Sequence, residues 1–194
     1  MSDAVLWYAT RGAGAVSLLL LSGVVALGLL TTARHQAPGW PRLLTAGLHR
    51  NLSLTAVGFL ALHVVTAVTD PFTSLGWVAA VIPFASWYRP FWLGLGTVAA
   101  QLVAALVVTS LLRRRIGYRT WRALHLLAYA CWPVAVVHGL GTGTDAGSAW
   151  MLAIDLLCGV AVLTAFARRV RWAGSAGSQT TPRIGSGTSQ PAGR

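Results

Sequence analysis

Five stretches of this chain stay apolar for about twenty residues each, and a chain so built has few folds open to it. They run at about 13–33, 43–69, 91–112, 119–140 and 148–167. A helix rises ~1.5 Å per residue, so some 20 residues cross a hydrocarbon core ~30 Å thick. The first run can begin as early as Val5 and has no basic segment ahead of it, so it is expected to be retained rather than cleaved. A sixth stretch, Ser74–Ser86 (SLGWVAAVIPFAS), is too short to span and contains Pro83, which suits an interfacial or re-entrant piece. The expected fold class is all-α: an integral membrane helical bundle of about five transmembrane helices plus that short segment. Composition agrees, with only 10% charged residues against about 25% in soluble domains.

Charge placement sets the orientation. The chain has 15 basic residues, all arginine, against four aspartates, for a net charge of +11. Nucleic-acid binding would be the reflex inference from that number. Most of these arginines instead cluster beside particular span ends. Arg34, Arg42 and Arg50 lie around the first link; Arg113, Arg114, Arg115, Arg119 and Arg122 around the third; Arg168, Arg169 and Arg171 follow the fifth span. Under the positive-inside rule these ends are cytoplasmic, which gives an outside N-terminus and a cytoplasmic C-terminus in the cell's plasma (inner) membrane. Arg11 and Arg89 are the exceptions, on the outer side. The membrane domain is expected over 1–172. Residues 173–194, rich in Gly, Ser, Thr and Pro, are expected to form a disordered cytoplasmic tail. Cys131 and Cys158 sit inside apolar runs, so no disulfide framework is indicated.

Four of the five histidines form two pairs. His49 and His63 are 14 residues apart on the second span; His125 and His138 are 13 apart on the fourth. Ionisable groups within a membrane are costly and mark functional sites. The two spans run in the same direction, and His49 and His125 enter them at similar depth. Since 13–14 residues correspond to about 20 Å of rise, His63 and His138 also match in depth. The result is two rungs, each with one imidazole from either side, which is what two bis-histidine haems need: neutral imidazole suits iron, and a low-dielectric site keeps it neutral. The rival reading is that the histidines merely bond neighbouring helices. One geometric condition is met only in part. At ~100° per residue, 14 residues return within about 40° of the same face, whereas 13 miss it by about 140°. Pro133 lies between His125 and His138, so a kink or local rewinding is expected there. His35 matches nothing and is expected in a solvated link.

The pattern H-x13-H on one span and H-x12-H on a later one resembles the ferric reductase-like transmembrane domain. Ferric reductases, NADPH oxidases and the haem-binding subunit of the bacterial periplasmic methionine-sulfoxide reductase share that domain. The stretches RRRIGYRTWRALH and LLAYACWPVAVVHG are similar to its second ligand helix, and LWYATRGAG and VIPFASWYRPFW are similar to bacterial members. The resemblance covers about residues 5–170. It implies two b-type haems, an inner one on His49 and His125 and an outer one on His63 and His138. Family members commonly have six spans with ligands on the third and fifth; here they fall on the second and fourth. Ferric reductases and NADPH oxidases carry flavin and nicotinamide domains after the last span. This chain shows only a polar tail there, so no flavin or NAD is expected on it. Its donor is then a separate flavin reductase or a quinol, with a bound quinone as a further candidate.

Haem propionates need cationic partners. Arg50 and Arg122 flank the inner ligands, and Arg11 can reach the outer site; snorkelling to lipid headgroups is the alternative for each. Asp155, within the fifth span, is either a proton or water site or a protonated acid bonding a neighbouring helix. Trp132 lies between the rungs, where helix packing is favoured over a place between haem edges. Gly139–Gly147 (GLGTGTDAG) follows a span rather than a strand, so it is no dinucleotide loop. The expected function is transmembrane electron transfer from the cytoplasmic or quinol side to an extracytoplasmic acceptor, either ferric iron or a partner protein. The alternatives are a quinol-oxidising cytochrome b-type subunit and a non-redox transporter or assembly protein.

Overall fold

The computed structural model describes residues 2–32, 42–71, 73 and 75–177. His35 and the stretch 178–194 lie outside them. Every element among the described residues is helical: α1 (Ser2–Thr32), α2 (Arg42–Thr69), α3 (Gly76–Val81), α4 (Pro90–Leu111), α5 (Arg113–Ile116), α6 (Tyr118–His125), α7 (Ala128–Thr142) and α8 (Ala149–Gly177). Five helical stretches are long and apolar enough to cross a membrane: Ala4–Thr31, Leu44–Thr69, Pro90–Leu111, Tyr118–Thr142 and Ala149–Trp172. The protein is thus an all-α, multi-pass membrane bundle. The first span starts well before residue 13, and α8 carries helix through Gly177, five residues into the stretch expected as tail.

α1 is the organising helix. It packs against α2, α8 and α7, while α4 packs against α7 and α6. Val25 and Leu29 of α1 meet Val162 and Ala165 of α8 in a small buried core, which Tyr129 and Trp132 of α7 cover. Ser22 is buried in the same seam. Its hydroxyl donates to the Leu18 carbonyl and accepts from Trp132 Nε1 at 2.8 Å. Trp132 is therefore an interhelical packing residue.

The fourth span is two helices, α6 and α7, joined at Leu126–Leu127. Here the backbone switches from i→i+4 to i→i+3 bonding: the amides of Leu126, Leu127, Tyr129 and Ala130 donate to Ala123, Leu124, Leu126 and Leu127. Three residues per turn in place of 3.6 adds ~20° per bond, or roughly 80° of extra winding over four bonds. That recovers more than half of the ~140° by which His138 would otherwise miss the face of His125. The rewinding lies in the turn before Pro133 rather than at it. This is the side on which a proline ring crowds the carbonyl four residues back and leaves it without its amide partner. The same rotation carries Cys131 toward the face of His125 and moves Trp132 off it, toward α1.

The Gly76–Val81 helix does not span. Its last turn has carbonyls with no helical partner, a costly condition within a bilayer. Two side chains of α4 meet them: Thr97 donates to Ala79 O at 2.8 Å and Gln101 to Val81 O at 2.7 Å. Gln101 is the twelfth residue of α4, so α3 reaches to about the middle of that helix. The turn back to α4 passes through Arg89, which is left-handed at φ 42° immediately before Pro90. Its guanidinium donates to Gly141 O at 2.7 Å, tying the start of α4 to the end of α7.

Replacing Gln101 with Leu leaves the Val81 carbonyl without its donor. Thermal unfolding of the detergent-solubilised protein should show a loss of about 1–3 kcal/mol. An unchanged melting temperature would mean that α3 is not held against α4 by this bond.

Candidate functional site

Between α1, α2, α4 and α7 lies a cavity of about 940 Å³, and all four paired histidines line it. Within each rung the imidazoles face one another across a gap. The ring centroids of His49 and His125 are 6.4 Å apart, and those of His63 and His138 are 6.3 Å apart. Stacked rings come closer than this, and the two imidazoles of each pair are not hydrogen-bonded to each other. An imidazole nitrogen lies about 2.0–2.1 Å from a first-row metal ion and ~1.1 Å from its own ring centre, so two imidazoles on one ion hold their centroids ~6.3 Å apart. The gap therefore has the width of one ligated ion. Among the described residues no group of three or more His, Cys, Asp or Glu side chains comes together to hold a metal ion. Two opposed imidazoles alone suit an ion whose other positions are filled by a planar prosthetic group.

The histidines are held by their neighbours in a repeated way. His63 Nδ1 lies 2.8 Å from Thr10 O, and His138 Nδ1 lies 2.8 Å from Trp92 O. A carbonyl only accepts, so Nδ1 carries the proton in both rings and Nε2 is left as the basic nitrogen. Thr142 Oγ1 lies 3.2 Å from the same His138 nitrogen, as a second acceptor. Four residues beyond each carbonyl stands a glycine, Gly14 after Thr10 and Gly96 after Trp92. A Cβ on Gly14 would stand 3.0 Å from the His63 ring, and one on Gly96 2.5 Å from the His138 ring. Absence of a side chain is what lets each ring approach the neighbouring backbone.

His49 meets a looser version of this arrangement. Val24 and Gly28 of α1 face it, but a Cβ on Gly28 would lie 3.7 Å away, and the Val24 backbone meets the ring less closely than the 2.8 Å bonds of the outer pair. His125 Nδ1 is buried and unpartnered. That ring is instead stacked on Trp121, with centroids 4.9 Å apart and planes at 30°. Trp121 donates to Ser110 Oγ at 3.3 Å, and the Arg113 guanidinium lies 4.4 Å above its ring.

The arginines divide. Arg50 lines the cavity. Arg122 is exposed and lies outside the lining; Arg113, which the sequence did not single out, lines it instead. Arg11 lines the opposite end, where it forms an ion pair with Asp145 and lies 3.9 Å from the centre of the Trp7 ring. Cys131, fully buried, is on the wall between the rungs, while Cys158 is buried against α1. Asp155 is outside the lining, and its Oδ2 is buried with no hydrogen-bond partner. The glycines are the signal that sequence reasoning missed. Gly14 and Gly28 are spaced by 14 residues, as His49 and His63 are, on an antiparallel neighbour.

With this geometry in view, the comparisons are specific. The family described as ferric reductase like transmembrane component matches residues 13–136, a range that includes His49, His63 and His125. The chain belongs to that family. It is also 34% identical over 134 residues to the protein-methionine-sulfoxide reductase heme-binding subunit MsrQ of Azospira oryzae, a match covering 68% of this chain and 53% of that one. The chain thus spans about half the length of that curated relative. No solved structure matches it.

The three ring-facing glycines should respond to alanine in graded fashion. Gly96→Ala forces His138 to move and should cost about 1–3 kcal/mol. Gly28→Ala has room and should be neutral or gain up to about 1 kcal/mol of helix propensity. Gly14→Ala should fall between them. Equal effects in unfolding experiments on the solubilised protein would refute close packing at His138 and His63.

Proposed function

We propose that the protein is a di-haem b-type cytochrome that carries electrons across the membrane. His49 and His125 would hold an inner haem, and His63 and His138 an outer one. The observation that carries this reading is the matched gap: two imidazole pairs, each spaced for one ligated ion, about 20 Å apart along the same two helices. Bonding between helices accounts for Nδ1 of His63 and His138 but not for two imidazole pairs that face one another across gaps of the same width. His49 with His125 and His63 with His138 would hold such a haem, which would supply one-electron transfer.

The chain's own residues supply the rest. The Thr10 and Trp92 carbonyls fix the tautomer and aim of the outer ligands. Arg50 and Arg113 at the inner end, and Arg11 at the outer, are the cations available to propionates. The apolar walls keep water from the transfer path. The arginine-rich ends of α2, α4 and α8 are cytoplasmic in this reading, as in the plasma membrane of a bacterium, with the N-terminus outside. The donor is a separate flavin reductase or a quinol. The relative is a subunit of a methionine-sulfoxide reductase, so the acceptor proposed here is an extracytoplasmic partner protein of that kind, with ferric iron as the simpler alternative.

His63→Ala or His138→Ala should remove one of two haems and stop reduction of an external acceptor while the remaining haem is still reduced from the inner side. Retention of both haems in either variant would overturn the ligand assignment.

A further inference from the structure

The two rungs are built differently, in hydrogen bonding, in ring contact and in charge. The first is hydrogen bonding. Both outer ligands donate Nδ1–H to a backbone carbonyl at 2.8 Å, and His138 has Thr142 as a further acceptor; of the inner ligands, His125 leaves Nδ1 unpartnered and His49 meets only the Val24 backbone, more loosely. A strong acceptor on the far nitrogen makes an imidazole more basic and a better donor to the oxidised metal. The second is ring contact: His125 lies against Trp121, over which sits the Arg113 guanidinium. The third is charge. Arg50 and Arg113 line the inner end, and Arg169 donates to the hydroxyl of the lining residue Tyr129. At the outer end Arg11 and Asp145 neutralise each other in their ion pair, and Asp70, only 3% exposed, stands with Arg89, whose guanidinium reaches that end at Gly141 O, so no net positive charge is left there.

Reduction adds one negative charge to a site. Positive surroundings favour it; negative surroundings and more basic ligands oppose it. The hydrogen-bond and charge differences act in the same direction. We infer that the two haem sites have distinct reduction potentials and that the outer one, on His63 and His138, is the lower. This rests on the two-haem reading above. In the transfer, one electron leaves the ferrous inner site, which becomes ferric, and reduces the ferric outer site; no proton moves and no bond changes. The reductant that refills the inner site is a quinol or a reduced flavin. Because that step is uphill, the electron waits at the inner site until an acceptor withdraws it outside, which limits idle reduction of stray oxidants.

The test is a potentiometric titration of the purified holoprotein, followed at the haem absorption bands. Two one-electron components are expected. His138→Ala, left with the inner haem, should show only the upper one. Asp70→Asn and Thr142→Val should raise the lower component and leave the upper in place. Arg113→Gln should lower the upper component alone. For Asp70→Asn the shift should be on the order of tenfold in the reduction equilibrium, ~59 mV for one electron. A single component, a lower component that survives in His138→Ala, or an Asp70→Asn shift in the upper component would each overturn the assignment. Where His138→Ala does not fold, the other three variants decide it. Purified protein without haem would instead refute the underlying two-haem reading.

Discussion

Opposed imidazoles that are neither stacked on nor bonded to each other need something to hold them in place, and most of the bundle is arranged to do so. His49 and His63 belong to α2, while His125 and His138 belong to the paired helices α6 and α7. The rings are aimed with help from the neighbouring helices. α1 and α4 each lie behind one ligand helix and present backbone rather than side chain to the imidazoles. The carbonyls of Thr10 and Trp92 take the ring protons, and Gly14 and Gly96 make the approach physically open. Since every helix carries carbonyls already engaged in its own ladder, a second hydrogen bond to one of them costs little. It fixes a ring more firmly than a flexible polar side chain would.

The register between α1 and α2 follows from the same requirement. In an antiparallel pair, advancing one helix retreats along the other, so Gly14 opposite His63 puts Gly28 opposite His49. No such partner exists across from His125, and there the chain uses an aromatic ring instead, Trp121, braced by Ser110 and Arg113. The two ends of the cavity are thus chemically different even though the spacing of the rings is nearly the same.

Depth and span count were legible in the sequence because rise per residue is nearly constant along any helix, so spacing alone matches His49 with His125 and His63 with His138. The facing of His138 was not. It depends on four i→i+3 bonds between Ala123 and Ala130, and Pro133 signals such a distortion without giving its place or extent. Arg113 was hidden behind Arg122 for a related reason: both flank the inner ligand in sequence, but only the packing of Trp121 on His125 brings Arg113 to the cavity. The carbonyl partners left no trace, since every residue has one; the glycine four positions later was the sole sequence mark. Ser74–Ser86 was legible as non-spanning from its length. That its carbonyls are met by Thr97 and Gln101 of α4 was not legible.

The account stands on two ligated haems per chain, and the most direct measurement is haem stoichiometry on purified, detergent-solubilised protein, combined with low-temperature paramagnetic resonance of its oxidised form. Two haems per chain with low-spin signals from two imidazole ligands are the predicted result. No haem, or a high-spin iron with an open axial position, would contradict it.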